Sequence, residues 1–146
     1  MKYLPHLIAA GAALVIVGGK KLVPMAGEAV VSKISDAIAN AEGFFVKGSK
    51  PARNNNPGNL TSNIGGAPAA VGKDGMFNVY LTPADGWSAL NAQVRLMLNG
   101  KSKIYNPEMT IHQVAQKYTT TEQSIWASNV ARHMGIPTTT RLSEIA

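Results

Sequence analysis

Apolar residues recur every three or four positions in several stretches of the chain, which is the spacing of an amphipathic helix. The clearest stretch runs from Glu28 to Glu42, with Ile34 and Ile38 one helical turn apart on its apolar side. Gly43 follows directly, and glycine commonly occupies the position after a helix because it adopts a left-handed backbone conformation without steric cost. The pattern predicts a helix over residues 28–42.

Three further helices are predicted from their start signals. Thr82 is followed by a proline and, at the third position, by an aspartate. Helices often start with an N-cap threonine, a proline in the first turn and an early acidic residue. This combination predicts a helix over residues 82–98. Threonine-led starts of a similar kind predict helices over residues 110–118 and 120–134.

The segment between the first two helices has a different composition. From Val46 to Gly75, glycine, proline, asparagine, serine and lysine replace the helical spacing, and strand signals are short, at residues 69–71 and 76–81. Lys73-Asp74-Gly75 between them is typical of a hairpin turn. Together these elements predict a mainly α (α+β) domain over residues 28–146 with a small β-hairpin.

Residues 1–27 form a separate N-terminal segment. From Leu4 to Gly19 they carry no aspartate, glutamate, lysine or arginine, and lysines stand on both sides of this stretch. A membrane-spanning helix needs about 20 apolar residues, and flanking lysines that extend their charged ends outward bring the effective span to residues 4–23. The segment is therefore interpreted as a hydrophobic anchor helix that crosses a membrane once. A cleaved signal peptide is the alternative, because small residues suited to cleavage lie at 23–27.

Composition narrows the classes of function. The chain has 146 residues, enough for one compact domain and a short appendage. It has no cysteine, which excludes disulfide frameworks, thiolate zinc sites and cysteine nucleophiles. Its charge of +6 comes from 14 basic and 8 acidic residues, and the bases form no run longer than Lys20-Lys21. Specific nucleic-acid binding is therefore not predicted, whereas attraction to anionic polymers such as bacterial cell walls is.

Glu42 is the first candidate catalytic residue. It lies one turn after Ile38 and two turns after Ile34, so helical spacing places it on the buried side. Burial and the negative end of the helix dipole both raise the pKa of a carboxyl group, as a general acid near neutral pH requires. The alternative is a solvated last-turn residue without a catalytic role.

An asparagine-rich turn follows from Asn54 to Leu60, and we call it the asparagine turn. Asparagine, proline and glycine are ordinary turn formers, which explains most of its composition. Its four asparagines can also donate and accept hydrogen bonds, and neutral amides suit the hydroxyl and acetamido groups of a sugar polymer. Both interpretations stay open at this point.

Neither a metal nor a cofactor is expected. The histidines at positions 6, 112 and 133 show no metal-ligand spacing, and no serine pairs with a histidine and an acid. Other acids have structural explanations, since Asp85 belongs to a capping pattern, Asp74 to a turn and Glu122 to the first turn of a helix.

Several short motifs follow one another in order between Ile38 and Ile145. They are Ala41-Glu42-Gly43-Phe44, Arg53-Asn54-Asn55-Asn56-Pro57-Gly58-Asn59-Leu60, Phe77 to Tyr80, Asp85-Gly86-Trp87-Ser88-Ala89-Leu90, Met109-Thr110-Ile111, Lys117-Tyr118, and Trp126-Ala127-Ser128-Asn129-Val130 through Gly135-Ile136. This series resembles the lysozyme-like lytic transglycosylases carried in phage virions. It is most similar to the small muralytic proteins of tailless phages with an internal membrane.

The resemblance implies a lysozyme-like fold and cleavage of the bond between N-acetylmuramic acid and N-acetylglucosamine in peptidoglycan. Glu42 matches the family's single catalytic glutamate, which protonates the glycosidic oxygen and then takes a proton from the muramic C6 hydroxyl, leaving a 1,6-anhydro ring. No second carboxylate is needed, unlike in the paired-acid scheme of ordinary glycosidases. The residues expected to contact the sugar are Asn55, Asn56, Asn59, Tyr80, Tyr118 and Trp126. Relatives often have a tyrosine where Trp126 stands.

The expected function is local opening of the cell wall during phage genome entry. The protein is expected in the virion membrane or the host inner membrane, held through residues 4–23, with glycan strands and other virion membrane or capsid proteins as partners. One alternative is a non-catalytic virion protein that binds peptidoglycan with the same fold. The other is a bacterial periplasmic transglycosylase or hydrolytic lysozyme with a signal peptide.

Overall fold

The computed structural model of the chain describes residues 12–13, 16–17, 20–21 and 25–146, and its side chains from Glu28 onward. Within these residues the protein is mainly helical and carries a small antiparallel hairpin. The helices are α1 (Glu28–Glu42), α2 (Lys50–Arg53), α3 (Pro83–Leu98), α4 (Ile111–Tyr118), α5 (Gln123–Met134) and a closing 3-10 helix (Leu142–Glu144).

Four two-residue strands precede α1: β1 (Ala12–Ala13), β2 (Ile16–Val17), β3 (Lys20–Lys21) and β4 (Met25–Ala26). β1 pairs with β4 and β2 with β3, both antiparallel. Most of the predicted anchor helix, residues 4–23, lies outside the described residues, and the described ones form β1, β2 and β3. Within the described part of the chain, every helix is too short or too polar to cross a bilayer.

The predicted helix bounds are confirmed where local signals are strong. α1 ends at Gly43, whose φ of 81° is in the left-handed region that glycine favours. At the start of α3, Thr82 Oγ1 accepts a hydrogen bond from the Asp85 N–H at 3.1 Å. α4 begins with a reciprocal capping box, in which Thr110 and Gln113 each bond the other's backbone N–H at 3.2 and 2.9 Å.

Three local features differ from the prediction. α5 begins at Gln123 rather than at residue 120, and its N-cap residue Glu122 makes no side-chain cap bond. The hairpin consists of β5 (Gly72–Asp74) and β6 (Phe77–Val79), so its loop is Gly75-Met76 rather than 73–75. Gly75 has a φ of 61°, which favours a tight turn at that position over the one predicted. The short helix α2 was not predicted; its cap is Ser49, whose Oγ accepts from the Ala52 N–H at 3.3 Å.

The hydrophobic core is built around α1. α1 packs against α3 and α5, and α4 packs on α5. Val31, Ile34 and Ile38 of α1 are each at most 2% exposed, which confirms the predicted apolar side of the helix. A smaller cluster of Leu60, Tyr80 and Ala89 joins the asparagine turn, the residue after the hairpin and α3.

α3 approaches the asparagine turn directly at Gly86, which is buried. A Cβ at this position would lie 1.8 Å from Asn55 O and 2.9 Å from Pro57 Cδ. Real side chains do not tolerate either distance, so the helix can reach the turn only through a glycine. This contact fixes the turn relative to α3.

Gly86→Ala is expected to lower the free energy of unfolding by at least about 3 kcal/mol, because the added methyl group would overlap a backbone oxygen that cannot move alone. Urea denaturation followed by circular dichroism measures the change. Gly65→Ala is the matched control, since a Cβ there meets nothing within 4 Å. Its effect should stay within about 1 kcal/mol. Equal effects of the two substitutions would contradict the packing described.

Candidate active site

Glu42 is the half-buried last residue of α1 and lies on the wall of a cleft of about 510 Å³. The other walls come from the end of the asparagine turn, the hairpin, Gln93 of α3, and the end of α4 with the threonines that follow. Among the described residues that line it, Glu42 is the only acid and Lys117 the only base. We call this space the Glu42 cleft.

The surroundings of Glu42 favour its protonated form. Burial raises the pKa of the Glu42 carboxyl from its usual value near 4.5 to about 7, and the Trp126 side chain acts in the opposite direction. The position at the negative end of α1 also disfavours the ionised carboxylate. A carboxyl group with this pKa holds a proton at mildly acidic pH and can release it close to neutrality, which suits general acid catalysis.

Two tyrosines stand close to Glu42 and remain neutral. Burial, with a smaller contribution from the Glu42 charge, raises the pKa of Tyr105 to about 12. Burial, with smaller contributions from Glu42 and the neighbouring tyrosines, raises the pKa of Tyr118 well above its usual value. Both phenols therefore stay protonated at any pH at which Glu42 titrates, and neither brings a second charge to the cleft.

Tyr118 and Trp126 form one side of the site. The Tyr118 hydroxyl donates a hydrogen bond to Gly58 O at 2.6 Å, so its proton is already used within the protein. Its ring stacks on that of Trp126, with 4.9 Å between ring centroids and 27° between planes. A Cβ on Gly58 would lie 2.9 Å from the Tyr118 hydroxyl, which explains why the turn has a glycine at this point.

Asn56 is a structural residue of the asparagine turn. It is 0% exposed. Its Oδ1 accepts from the Leu60 N–H at 2.8 Å, and its Nδ2 donates to Leu60 O and Asn78 O, both at 2.9 Å. Both its donor hydrogens and an acceptor are thus occupied, and the expected sugar contact by this side chain is inconsistent with its burial.

Asn55 and Tyr80 also join the turn to the segment after the hairpin. Asn55 Nδ2 donates to Tyr80 O at 3.0 Å, and Asn55 itself has a φ of 52°, a conformation that asparagine tolerates better than most residues. Tyr80 is 1% exposed, and its hydroxyl accepts from Asn78 Nδ2 at 3.1 Å. Neither residue lines the Glu42 cleft, so the expectation of direct sugar contact is not supported for either.

Asn59 is the asparagine of the turn that faces the cleft. It has a φ of 50°, and its Oδ1 is buried with no hydrogen-bond partner. An unpaired buried acceptor is unfavourable by about 1–3 kcal/mol. Of the six residues expected to contact sugar, Asn59 and Tyr118 line the cleft, and Trp126 lies directly behind Tyr118.

Several cleft residues were not predicted from the sequence. Tyr105 is 7% exposed and follows a loop without helical or strand spacing, so no periodic signal marked it. Gln93 projects from the middle of α3, where its spacing resembles that of any helical residue. Ile64, Met76, Phe77 and Ile104 add apolar surface to the opposite wall. The cleft therefore combines one carboxyl group with neutral polar and apolar side chains.

This arrangement supports proton transfer by a single group. Paired-acid glycosidases place two carboxyl groups about 5–10 Å apart across the scissile bond. No second acid lines the Glu42 cleft among the described residues. Nor do three or more histidines, aspartates or glutamates gather anywhere in the described part of the chain as a metal site would require.

The chain has no significant match among known proteins. No protein-family model matches the chain, no curated protein is significantly similar to it, and no solved structure matches its fold significantly. A function is therefore inferred from the residues and geometry of the Glu42 cleft and from the ordered motifs of the sequence.

Proposed function

We propose that the protein is a peptidoglycan lytic transglycosylase with a lysozyme-like fold, and that Glu42 is its single catalytic acid and base. The observation that carries the proposal is a lone carboxyl group of pKa about 7 on the wall of a cleft whose other lining side chains include no acid among those described. The resemblance of the ordered motifs supports the same reaction.

The reaction begins with the protonated form of Glu42. Its carboxyl proton passes to the glycosidic oxygen, the bond from that oxygen to the muramic C1 breaks, and N-acetylglucosamine leaves as an alcohol. The carboxylate then takes the proton of the muramic C6 hydroxyl while the C6 oxygen bonds to C1. The product is a 1,6-anhydro ring, Glu42 regains its proton, and no water is consumed. A nearby intramolecular hydroxyl needs no second carboxylate for activation.

The walls of the cleft fit a neutral amino sugar. Asn59 lines the cleft, and its side-chain amide is a neutral group of the kind that suits an acetamido substituent. Ile64, Met76 and Phe77 provide apolar contact for the acetamido methyl group and the faces of sugar rings. Lys117, with its positive charge, suits the muramic lactyl carboxylate or the peptide attached to it.

We further propose that the protein acts from a membrane, held through residues 4–23, in the virion or in the host inner membrane. Other virion membrane or capsid proteins are its proposed neighbours there. The net charge of +6 favours encounter with anionic cell walls in either setting.

The proposal is tested by incubating the full-length protein with dye-labelled, purified peptidoglycan at about pH 6, below the pKa of Glu42. We expect soluble labelled fragments to appear at a rate proportional to protein concentration. If the protein sediments with the peptidoglycan but releases no fragments, the non-catalytic wall-binding alternative is correct. If it neither binds nor cleaves, both functions are wrong.

A further inference from the structure

Trp126 of α5 carries a buried polar atom that no ordinary hydrogen bond satisfies. The residue is 5% exposed, and its Nε1 is buried without a hydrogen-bond partner of normal length and angle. More than 90% of buried polar groups in proteins are paired, so an unpaired indole N–H needs an explanation. An aromatic residue without a polar atom would fill the same space without that cost.

The ring of Trp126 is held in one orientation. It stacks on Tyr118, and the Tyr118 hydroxyl is itself fixed by its 2.6 Å hydrogen bond to Gly58 O. The asparagine turn, α4 and α5 thus hold the indole in place behind the wall of the Glu42 cleft. The same N–H lies close enough to Glu42 to lower the pKa of that carboxyl.

We propose that Trp126 is a positioning residue for Glu42, whose ionised carboxylate receives a hydrogen bond from the buried indole N–H. The assignment rests on the role proposed above for Glu42, although its first test needs no glycan. A protonated carboxyl is a weak acceptor, whereas a carboxylate is a strong one. The hydrogen bond from the N–H therefore becomes stronger once that proton has been given to the leaving sugar.

Few other groups near Glu42 can stabilise its carboxylate in this way. The hydroxyl of Tyr118 already donates to Gly58 O. Tyr105 has no resolved influence on the pKa of Glu42. Lys117 is the one described cation that lines the cleft, yet burial and the Trp126 N–H are the influences that set the pKa of Glu42. Gln93 of α3 also has no resolved influence on that pKa. The indole N–H thus offsets part of the burial effect and keeps Glu42 able to act as an acid and then as a base.

The first test follows the indole N–H signals by two-dimensional ¹H–¹⁵N NMR of the full-length protein between pH 5 and 9. The chain has two tryptophans, and Trp87, which contacts Phe44 away from the cleft lining, is an internal control. We expect the Trp126 signal to move downfield with a midpoint near pH 7, the Trp87 signal to stay nearly constant, and the Trp126 titration to disappear in Glu42→Gln. A Trp126 signal that does not titrate would overturn the proposal.

The second test uses Trp126→Phe, which keeps an aromatic ring against Tyr118 but removes the N–H. Because the N–H favours ionised Glu42, its loss is expected to shift the alkaline limb of the activity profile upward by about one pH unit. Trp87→Phe is the matched control and should leave that limb in place. Loss of activity in Trp126→Phe without a shift of the limb would indicate a packing role only and contradict the assignment.

Discussion

Replacing Glu42 by glutamine is expected to lower the rate of peptidoglycan cleavage at least about 1,000-fold. Glutamine has nearly the same size and shape as glutamate but cannot give a proton to the glycosidic oxygen. No other acid among the described lining residues is available to take over. The initial rate of release of labelled fragments, measured at about pH 6 over a range of protein concentrations, gives the ratio of the two activities.

Glu108→Gln is the matched control for this experiment. It removes one negative charge in the same way, but Glu108 is exposed and does not line the Glu42 cleft. We expect its activity to stay within about twofold of the parent. A Glu42→Gln protein that keeps a tenth or more of the parent rate would contradict the role given to Glu42.

The same substitution is expected to make the folded protein more stable at high pH. The pKa of Glu42 is about 7 in the folded protein, above its usual value of 4.5, so the folded state binds more protons than the unfolded state between these values. The free energy of unfolding therefore falls as the pH rises from 4.5 to 7, and stays at the lower level above that range. Glutamine does not titrate, which removes this dependence.

The expected size of this stability change follows from the shift in the pKa of Glu42. A full shift of this size is equivalent to about 3 kcal/mol, and partial exposure of the carboxyl reduces it to about 2 kcal/mol. The stability of Glu42→Gln relative to the parent should thus be about 2 kcal/mol greater at pH 9 than at pH 4. Urea denaturation at several pH values measures the difference, with Glu108→Gln as the control. If the stability difference between Glu42→Gln and the parent does not change with pH, then Glu42 is exposed to solvent and its pKa is not raised.

Helices with strong local signals were predictable because their causes lie within a few residues. The threonine caps before α3 and α4 and Gly43 after α1 act on the adjacent backbone, so the sequence alone locates those ends. The hairpin was predicted with its loop displaced, because two turn signals, Asp74-Gly75 and Gly75-Met76, overlap and only strand pairing decides between them.

The roles of the asparagines were not predictable from the sequence. Local composition indicated a turn, but Asn56 bonds Asn78 and Asn54 bonds Asp74, partners about 20 residues away. The spacing of residues along the sequence does not predict which of them form such hydrogen bonds. Three of the four amides therefore hold the turn against the hairpin segment, and Asn59 alone lines the Glu42 cleft.

Two residues of the motif series have packing roles. Gly86 lets α3 touch Asn55 O, and Trp87 packs edge-on against Phe44 with 5.4 Å between ring centroids. Glu42 differs from these residues, because helical spacing placed it correctly beside the core and its burial raises its pKa. Trp126, the proposed positioning residue, lies far along the sequence from Glu42, and only the packing of α1 on α5 brings the two helices together.

The most direct measurement of the central claim is the structure of the sugar ends that the protein produces from purified peptidoglycan. Mass spectrometry of the soluble fragments should show muramic residues that lack one water, as 1,6-anhydro ends require, in digests by the parent and none in digests by Glu42→Gln. Reducing muramic ends would mean that water, activated by a further group, completes the reaction. That result, or the absence of soluble fragments from the parent, would contradict the single-carboxyl mechanism.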